Sequence, residues 1–228
     1  MIKIGWLYPD LMSTYGDRGN IICLHKRLQW RGETSEIISI DVHTTETQLK
    51  SVDIIIGGGS QDIAQELVMR DLRGKKGNII TSLIEKGVPA LFVCGAPQIM
   101  GKYYEPAFGK RIEGLGIFDM VTKNPGKNTS RCIGNATAKV LWENIGAPTH
   151  AATVIRGFEN HGGRTHLGKT AKPFANIIKG FGNNGEDGTE GIVYKNAIGC
   201  YFHGPLLPLN PAVADYLLSL VVGENLGK

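Results

Sequence analysis

Two side chains in this sequence are of the types that attack carbonyl carbon and shuttle its protons, and each stands where an apolar run breaks off. Cys94 follows Ala90-Leu91-Phe92-Val93 and precedes Gly95-Ala96-Pro97-Gln98. That is the outline of a strand turning sharply into a helix, which lifts one side chain above the helix's unpaired N–H groups. A thiol held there is a good nucleophile. The competing reading is a structural cysteine, since cysteine is among the most buried residue types. A cysteine nucleophile needs a base, and His203 is the best placed of the six histidines. It follows the run 197–202 and precedes Gly204-Pro205, so it too stands at a strand end. His25 falls within a helical stretch, His43 in a polar one, and nothing singles out His150. His161 and His166, in a dense polar loop over 157–166, are the runners-up.

The elements that must position these groups alternate through about residue 105. Strands are expected at 2–7, 35–40, 52–56 and 90–93, with helices at 17–31, 64–72 and 78–86; Asp17 is the N-cap of the first helix, and Gly87 closes the last. Such alternation predicts an α/β fold with a doubly wound, mostly parallel sheet. Ligands bind such sheets beyond the carboxyl ends of the strands. Gly57-Gly58-Gly59 falls at that edge, so Gly58 or Gly59 together with Gly95 are candidate oxyanion donors over the Cys94 thiol. Beyond residue 105, short runs at 131–140, 153–158, 175–179 and 191–202 predict a β-rich, partly antiparallel half with a hairpin turn at Asn196-Ala197. Asn210-Pro211 opens a final apolar helix reaching about Val222. No repeat or linker divides the chain, so one domain over 1–228 is expected.

Composition excludes several function classes. The 228 residues are 42% hydrophobic and 20% charged, with a net charge of +4; lysines and arginines are scattered, so no nucleic-acid groove is expected. Cys23, Cys94, Cys132 and Cys200 form no C-x-x-C pair, which fits reduced thiols without a metal site. The N-terminus carries no signal-peptide pattern and no apolar run is long enough to span a membrane, so a cytoplasmic protein is expected. The stretch from Gly163 to Thr170 fits the P-loop pattern G-x-x-x-x-G-K-T. A P-loop needs a strand before it and a helix after it; 159–162 reads as loop, and Pro173 falls where the helix would begin.

Several separated motifs, in order and over nearly the whole chain, then resemble the triad-type glutamine amidotransferases of the branch related to cobyric acid synthase. Within that branch the chain resembles the glutaminase subunits of lipid II isoglutaminyl synthases. The motifs are Tyr8-Pro9-Asp10-Leu11-Met12-Ser13-Thr14-Tyr15-Gly16-Asp17-Arg18-Gly19-Asn20, Gly57-Gly58-Gly59-Ser60-Gln61-Asp62, Cys94-Gly95-Ala96-Pro97-Gln98, and Gly157-Phe158-Glu159-Asn160-His161-Gly162-Gly163-Arg164-Thr165. The resemblance implies a flavodoxin-like class I amidotransferase fold. It implies that Cys94 attacks the side-chain amide of L-glutamine, that His203 carries the proton to the departing ammonia, and that water frees glutamate from the thioester. Arg131 would hold the substrate carboxylate and Gln98 would line the pocket. No cofactor is implied. The implied partner is a MurT-like ATP-dependent ligase in a heterodimer, which uses the ammonia to amidate the D-glutamate of lipid II, a lipid-linked precursor reached only through that partner.

Two departures accompany the resemblance. The residue two after His203 is Pro205 where most of the wider family has glutamate, so the orienting acid is absent, giving the Cys–His dyad expected in this branch, or it comes from elsewhere. Ala96 stands where glycine is common. The competing functions are an amidotransferase serving a cobyric acid synthase-like system and a binding module that kept the fold but lost turnover.

Overall fold

The computed structural model describes residues 1–126, 128–146 and 153–223, so His150 lies outside the described residues. Its first half runs β1 (Ile2–Leu7), α1 (Arg18–Trp30), β2 (Ser35–Ile40), α2 (Glu46–Lys50), β3 (Ile54–Gly57), α3 (Asp62–Leu72), α4 (Lys75–Glu85), β4 (Ala90–Val93) and α5 (Gly95–Met100). The second half adds β5 (Tyr103–Glu105), β6 (Ile112–Glu113), β7 (Met120–Lys123), β8 (Cys132–Val140), β9 (Val154–His161), β10 (Arg164–Leu167), β11 (Ala175–Lys179), β12 (Thr189–Glu190), β13 (Ile192–Tyr194), β14 (Ala197–Cys200), α6 (Leu206–Leu209) and α7 (Pro211–Val222).

The central sheet has the order β13-β14-β4-β3-β1-β2, parallel except where the β13–β14 hairpin adds an antiparallel edge. Its inner strands β3, β4 and β14 are buried on both faces because both are covered, as a parallel sheet requires. Side chains alternate across the pleat. Ile54, Ile56, Leu91 and Val93 pack on α1, α7 and the sheet β12-β11-β8-β9, whereas Ile55, Ala90 and Phe92 pack on α3, α4, α5 and the sheet β10-β7-β5-β6.

Register decides what meets at the sheet's carboxyl edge. Cys200 of β14 lies opposite Val93 of β4, Phe92 opposite Gly57 of β3, and Gly57 opposite Leu7 of β1. The chain therefore leaves four neighbouring strands at one level, carrying the 8–17 loop, the glycine turn, Cys94 and the 201–203 segment to the same edge. The hairpin turn is Lys195-Asn196, one residue earlier than expected, because Ala197 pairs with Tyr194 inside the ladder. The stretch 157–166 is not a loop: β9 continues through His161 and β10 begins at Arg164. The P-loop pattern is thus preceded by a strand after all, but it continues into a strand paired with β7, and Thr170 turns back to hydrogen-bond Asp119. No helix opens there.

Glycine in the middle of a strand usually weakens it, yet Gly199 of β14 has no room for anything larger. A β-carbon built there would lie 2.9 Å from Pro97 Cβ and 3.1 Å from Phe118 Cε2. Gly199→Val, a change toward higher strand propensity, is expected to lower stability by about 1–3 kcal/mol through overpacking, read as a drop in the urea midpoint; an unchanged or higher midpoint would contradict this packing.

Candidate active site

Cys94 is the pivot between β4 and α5, and its backbone sits at φ 55°, ψ −95°. A residue with a β-carbon resists positive φ, at a cost on the order of 1–3 kcal/mol. The conformation is held by the flanking elements, with the Cys94 N–H donating to the Cys200 carbonyl of β14 at 2.8 Å. Its side chain is buried at the floor of a cleft of about 490 Å³.

His203 is delivered from the far end of the chain. Its backbone exchanges two hydrogen bonds of 3.0 Å with Phe158 of β9, which clamps the residue as it leaves β14. The imidazole is buried, with the Tyr15 ring edge-on at 4.9 Å between centroids. Nδ1 donates to Asp17 Oδ1 at 3.0 Å, and buried Nε2 has no hydrogen-bond partner. Burial alone would push the imidazolium pKa down, but the hydrogen bond and charge of Asp17, together with Cys94, overcome it and lift the pKa to about 10.

Asp17 departs from its expected part. It occupies the N-cap position of α1, yet its side chain makes no capping hydrogen bond. One oxygen receives His203, and the other accepts the Gly59 N–H at 2.6 Å. The structure therefore does not hold a cysteine and histidine without an acid: a buried carboxylate touches the imidazole. The same contact removes Gly59 from the candidate oxyanion donors, because its N–H is already engaged. Gly95 N–H, the first of α5, has no acceptor within its own helix, and Ser60 N–H lies beside it, 2.9 Å from where a Gly95 β-carbon would sit. Ala96 is accommodated because its methyl faces Gly57, which has none.

The cleft gathers the remaining candidates. Arg131 and Gln98 both line it. The Arg131 guanidinium is held by neutral oxygens of Asn160, at 3.0 Å to its backbone carbonyl, and makes no ion pair with any described carboxylate. Gln98 is buried between Gln65 and the Tyr201 hydroxyl. His161 lines the cleft too, stacked on Tyr201 at 3.7 Å. Burial pushes its pKa down to about 3, so it stays neutral. Its Nδ1–H donates to the Gly163 carbonyl, which leaves Nε2 as an unpaired acceptor. His166 is exposed on β10, His43 is exposed, and half-buried His25 bonds Ser35; none approaches Cys94. Asp62 is a cleft residue that the sequence reading passed over, its Oδ1 accepting from the Tyr104 hydroxyl. Among the described residues no group of three or more His, Cys, Asp or Glu side chains is placed to hold a metal ion.

The folded pKa of His203 lies above the ordinary value of 6.5, so the folded protein holds a proton that the unfolded chain releases. That stabilisation is complete below about pH 6.5 and is lost as pH rises through about 10. Subtracting the urea unfolding free energy of His203→Gln from that of the unmodified protein is expected to leave a difference that shrinks over this window. A flat difference would mean that the imidazole is not held protonated.

Comparison with known proteins agrees with this arrangement. A family model described as the CobB/CobQ-like glutamine amidotransferase domain matches residues 3–211. The chain is 38% identical over 229 residues to the GatD subunit of the glutamine-hydrolysing lipid II isoglutaminyl synthase of Streptococcus pneumoniae, covering 100% of this chain and 83% of that protein. It is 38% identical over 209 residues to the corresponding subunit of Staphylococcus aureus, covering 92% and 79%. Similarity to the cobyric acid synthase of Photorhabdus laumondii is 33% over 172 residues, 71% of this chain but 32% of that longer protein. Among solved structures, PurLQS from Thermotoga maritima superposes with a TM-score of 0.64 at 14% identity, covering 96% of this chain and 97% of that one. The glutaminase domain of Trypanosoma brucei CTPS superposes at 0.57 and 11%, covering 97% and 94%. At those identities the two structures speak for the fold alone.

Proposed function

The chain belongs to the CobB/CobQ-like glutamine amidotransferase family, and from that premise we propose that it is the glutamine-hydrolysing subunit of a lipid II isoglutaminyl synthase, with Cys94 as nucleophile and His203 as its base. The observation that carries this reading is the buried thiol on a strained backbone beside an imidazole whose Nε2, bonded to no other group, is placed to carry its proton, at the floor of a cleft lined by one cation and one carboxylate. Free glutamine is a zwitterion with an uncharged side chain. Arg131 suits its α-carboxylate, because a guanidinium pairs with that group bidentately. Asp62 suits its α-ammonium, and the neutral side chain then runs toward Cys94.

The chemistry follows from these placements. Cys94 Sγ adds to the amide carbon with its proton carried on His203 Nε2, in the imidazolium form that the raised pKa favours; the oxyanion is met by the N–H groups of Gly95 and Ser60. His203 returns the proton to the amide nitrogen, ammonia leaves, and a thioester remains. Water activated by the same nitrogen then adds to the thioester, freeing glutamate and restoring the thiol.

The ammonia is consumed by a partner, which in this reading is a MurT-like ligase that activates the D-glutamate α-carboxylate of lipid II with ATP and yields D-isoglutamine. On this reading the subunit works in the cytoplasm. No helix among the described residues is long and apolar enough to cross a membrane, in keeping with contact to the lipid-linked acceptor through the partner.

Glutamate release from L-glutamine, measured with the MurT-like ligase present, is expected to fall at least about 1000-fold in Cys94→Ala. Retention of activity would overturn the nucleophile, and release of glutamate without amidation of lipid II would reassign the acceptor, with a cobyric acid synthase-like system the first to assay. Arg131→Ala is expected to raise KM for glutamine about 10- to 100-fold, the worth of a charged hydrogen bond of roughly 1.5–3 kcal/mol, with kcat little changed. An unchanged KM would remove Arg131 from the substrate site.

A further inference from the structure

We propose that Asp17 is the positioning carboxylate of this active site, supplied from the loop before α1, and that it holds the base and the oxyanion turn together. The proposal rests on the amidotransferase reading above and assigns what that reading leaves open, the group that orients His203. Among the described residues Asp17 is the carboxylate that bonds this imidazole. The other buried acids nearby are spoken for: Glu190 receives the Tyr201 N–H, and Glu159 receives the N–H groups of Phe181 and Gly182.

The local packing explains why the acid comes from so far away in sequence. Two residues beyond His203 the chain places Pro205, whose ring lies against Gly19 so closely that a β-carbon at Gly19 would overlap it. The segment after the histidine is therefore used to dock the first turn of α1, and that docking presents Asp17 to Nδ1 instead. Because Asp17 accepts the Nδ1 proton, Nε2 is the nitrogen left to exchange a proton with Cys94. The second carboxylate oxygen anchors Gly59 N–H, which fixes the turn that carries Ser60. One side chain thus sets the proton carrier and the anion-stabilising backbone at once.

The test compares Asp17→Asn with the unmodified protein, each in complex with the MurT-like ligase. Asparagine keeps the size but presents an amide that turns the imidazole toward the wrong tautomer. The expected result is a fall in kcat of about 1000- to 10 000-fold, as for loss of the acid in other nucleophile–base–acid sites, with KM for glutamine within about threefold and a cooperative urea transition whose midpoint is lowered by loss of the Asp17–His203 bond. Asp17→Glu, which keeps the charge, is expected to recover part of kcat. A kcat within threefold in Asp17→Asn overturns the proposal, as does a loss that appears entirely in KM. Nitrogen-15 NMR of the unmodified protein supplies a readout that needs no variant: His203 is expected to show a bonded Nδ1 proton, and a neutral ring protonated on Nε2 would equally overturn the assignment. If the unmodified complex itself released no glutamate, the amidotransferase reading would fall instead, a result distinguishable from either of these.

Discussion

The site depends on a backbone that passes closer to its neighbours than a β-carbon allows. Three glycines end β3 and open the turn after it, and each faces a different wall: Gly57 abuts Ala96 and Phe92, Gly58 abuts the Met12 carbonyl and Asp17, and Gly59 lies 2.8 Å, measured from an ideal β-carbon, from His203 Cε1. Had the chain carried side chains here, the loop before α1, the elbow after β4 and the segment after β14 would be pushed apart by about the width of a methyl group. The hydrogen bonds that join them, Gly59 to Asp17 and Asp17 to His203, tolerate no such displacement. What reads in sequence as a flexible turn is in the structure a spacer of minimum thickness.

Burial makes this arrangement consequential. Asp17 and His203 are each about 2% exposed, and removing both from water is justified only because each satisfies the other. Around them the structure leaves polar atoms without partners, an uncommon condition in a folded interior. Ser60 Oγ, Gln65 Oε1, His161 Nε2 and His203 Nε2 are all unpaired, and all belong to the cleft or to the neighbourhood of Cys94.

Much of this was legible in the sequence, and for identifiable reasons. Cys94 and His203 each terminate an apolar run, so the positions announce strand ends, and a parallel register carries strand ends to one edge. The β1, β2 and β4 boundaries coincide with those read from the sequence, because each is a compact run rich in Ile, Leu, Val or Phe that breaks off where the apolar residues stop. Asp17 was read only as a helix cap, since an acid before a helix is ordinarily that, and nothing local reveals a partner 186 residues away. The short strands β5, β6 and β10 carry too few residues to show a period, and the polar 157–166 stretch was mistaken for loop because its strands expose one face. The recognised motifs located the catalytic candidates, whereas physical contact was needed to find what orients them.

The span of the Asp17–His203 contact has a consequence for how the protein comes into being. During synthesis the N-terminal half leaves the ribosome first, and with it the thiol, the glycine turn and the carboxylate. The imidazole follows more than a hundred residues later, and the strand that carries it, β14, is also the one whose Cys200 carbonyl holds the elbow. A chain that stops short of β14 therefore carries Cys94 without His203 and without the Cys200 carbonyl that holds the elbow. The cleft is assembled only when this late strand is seated beside β4.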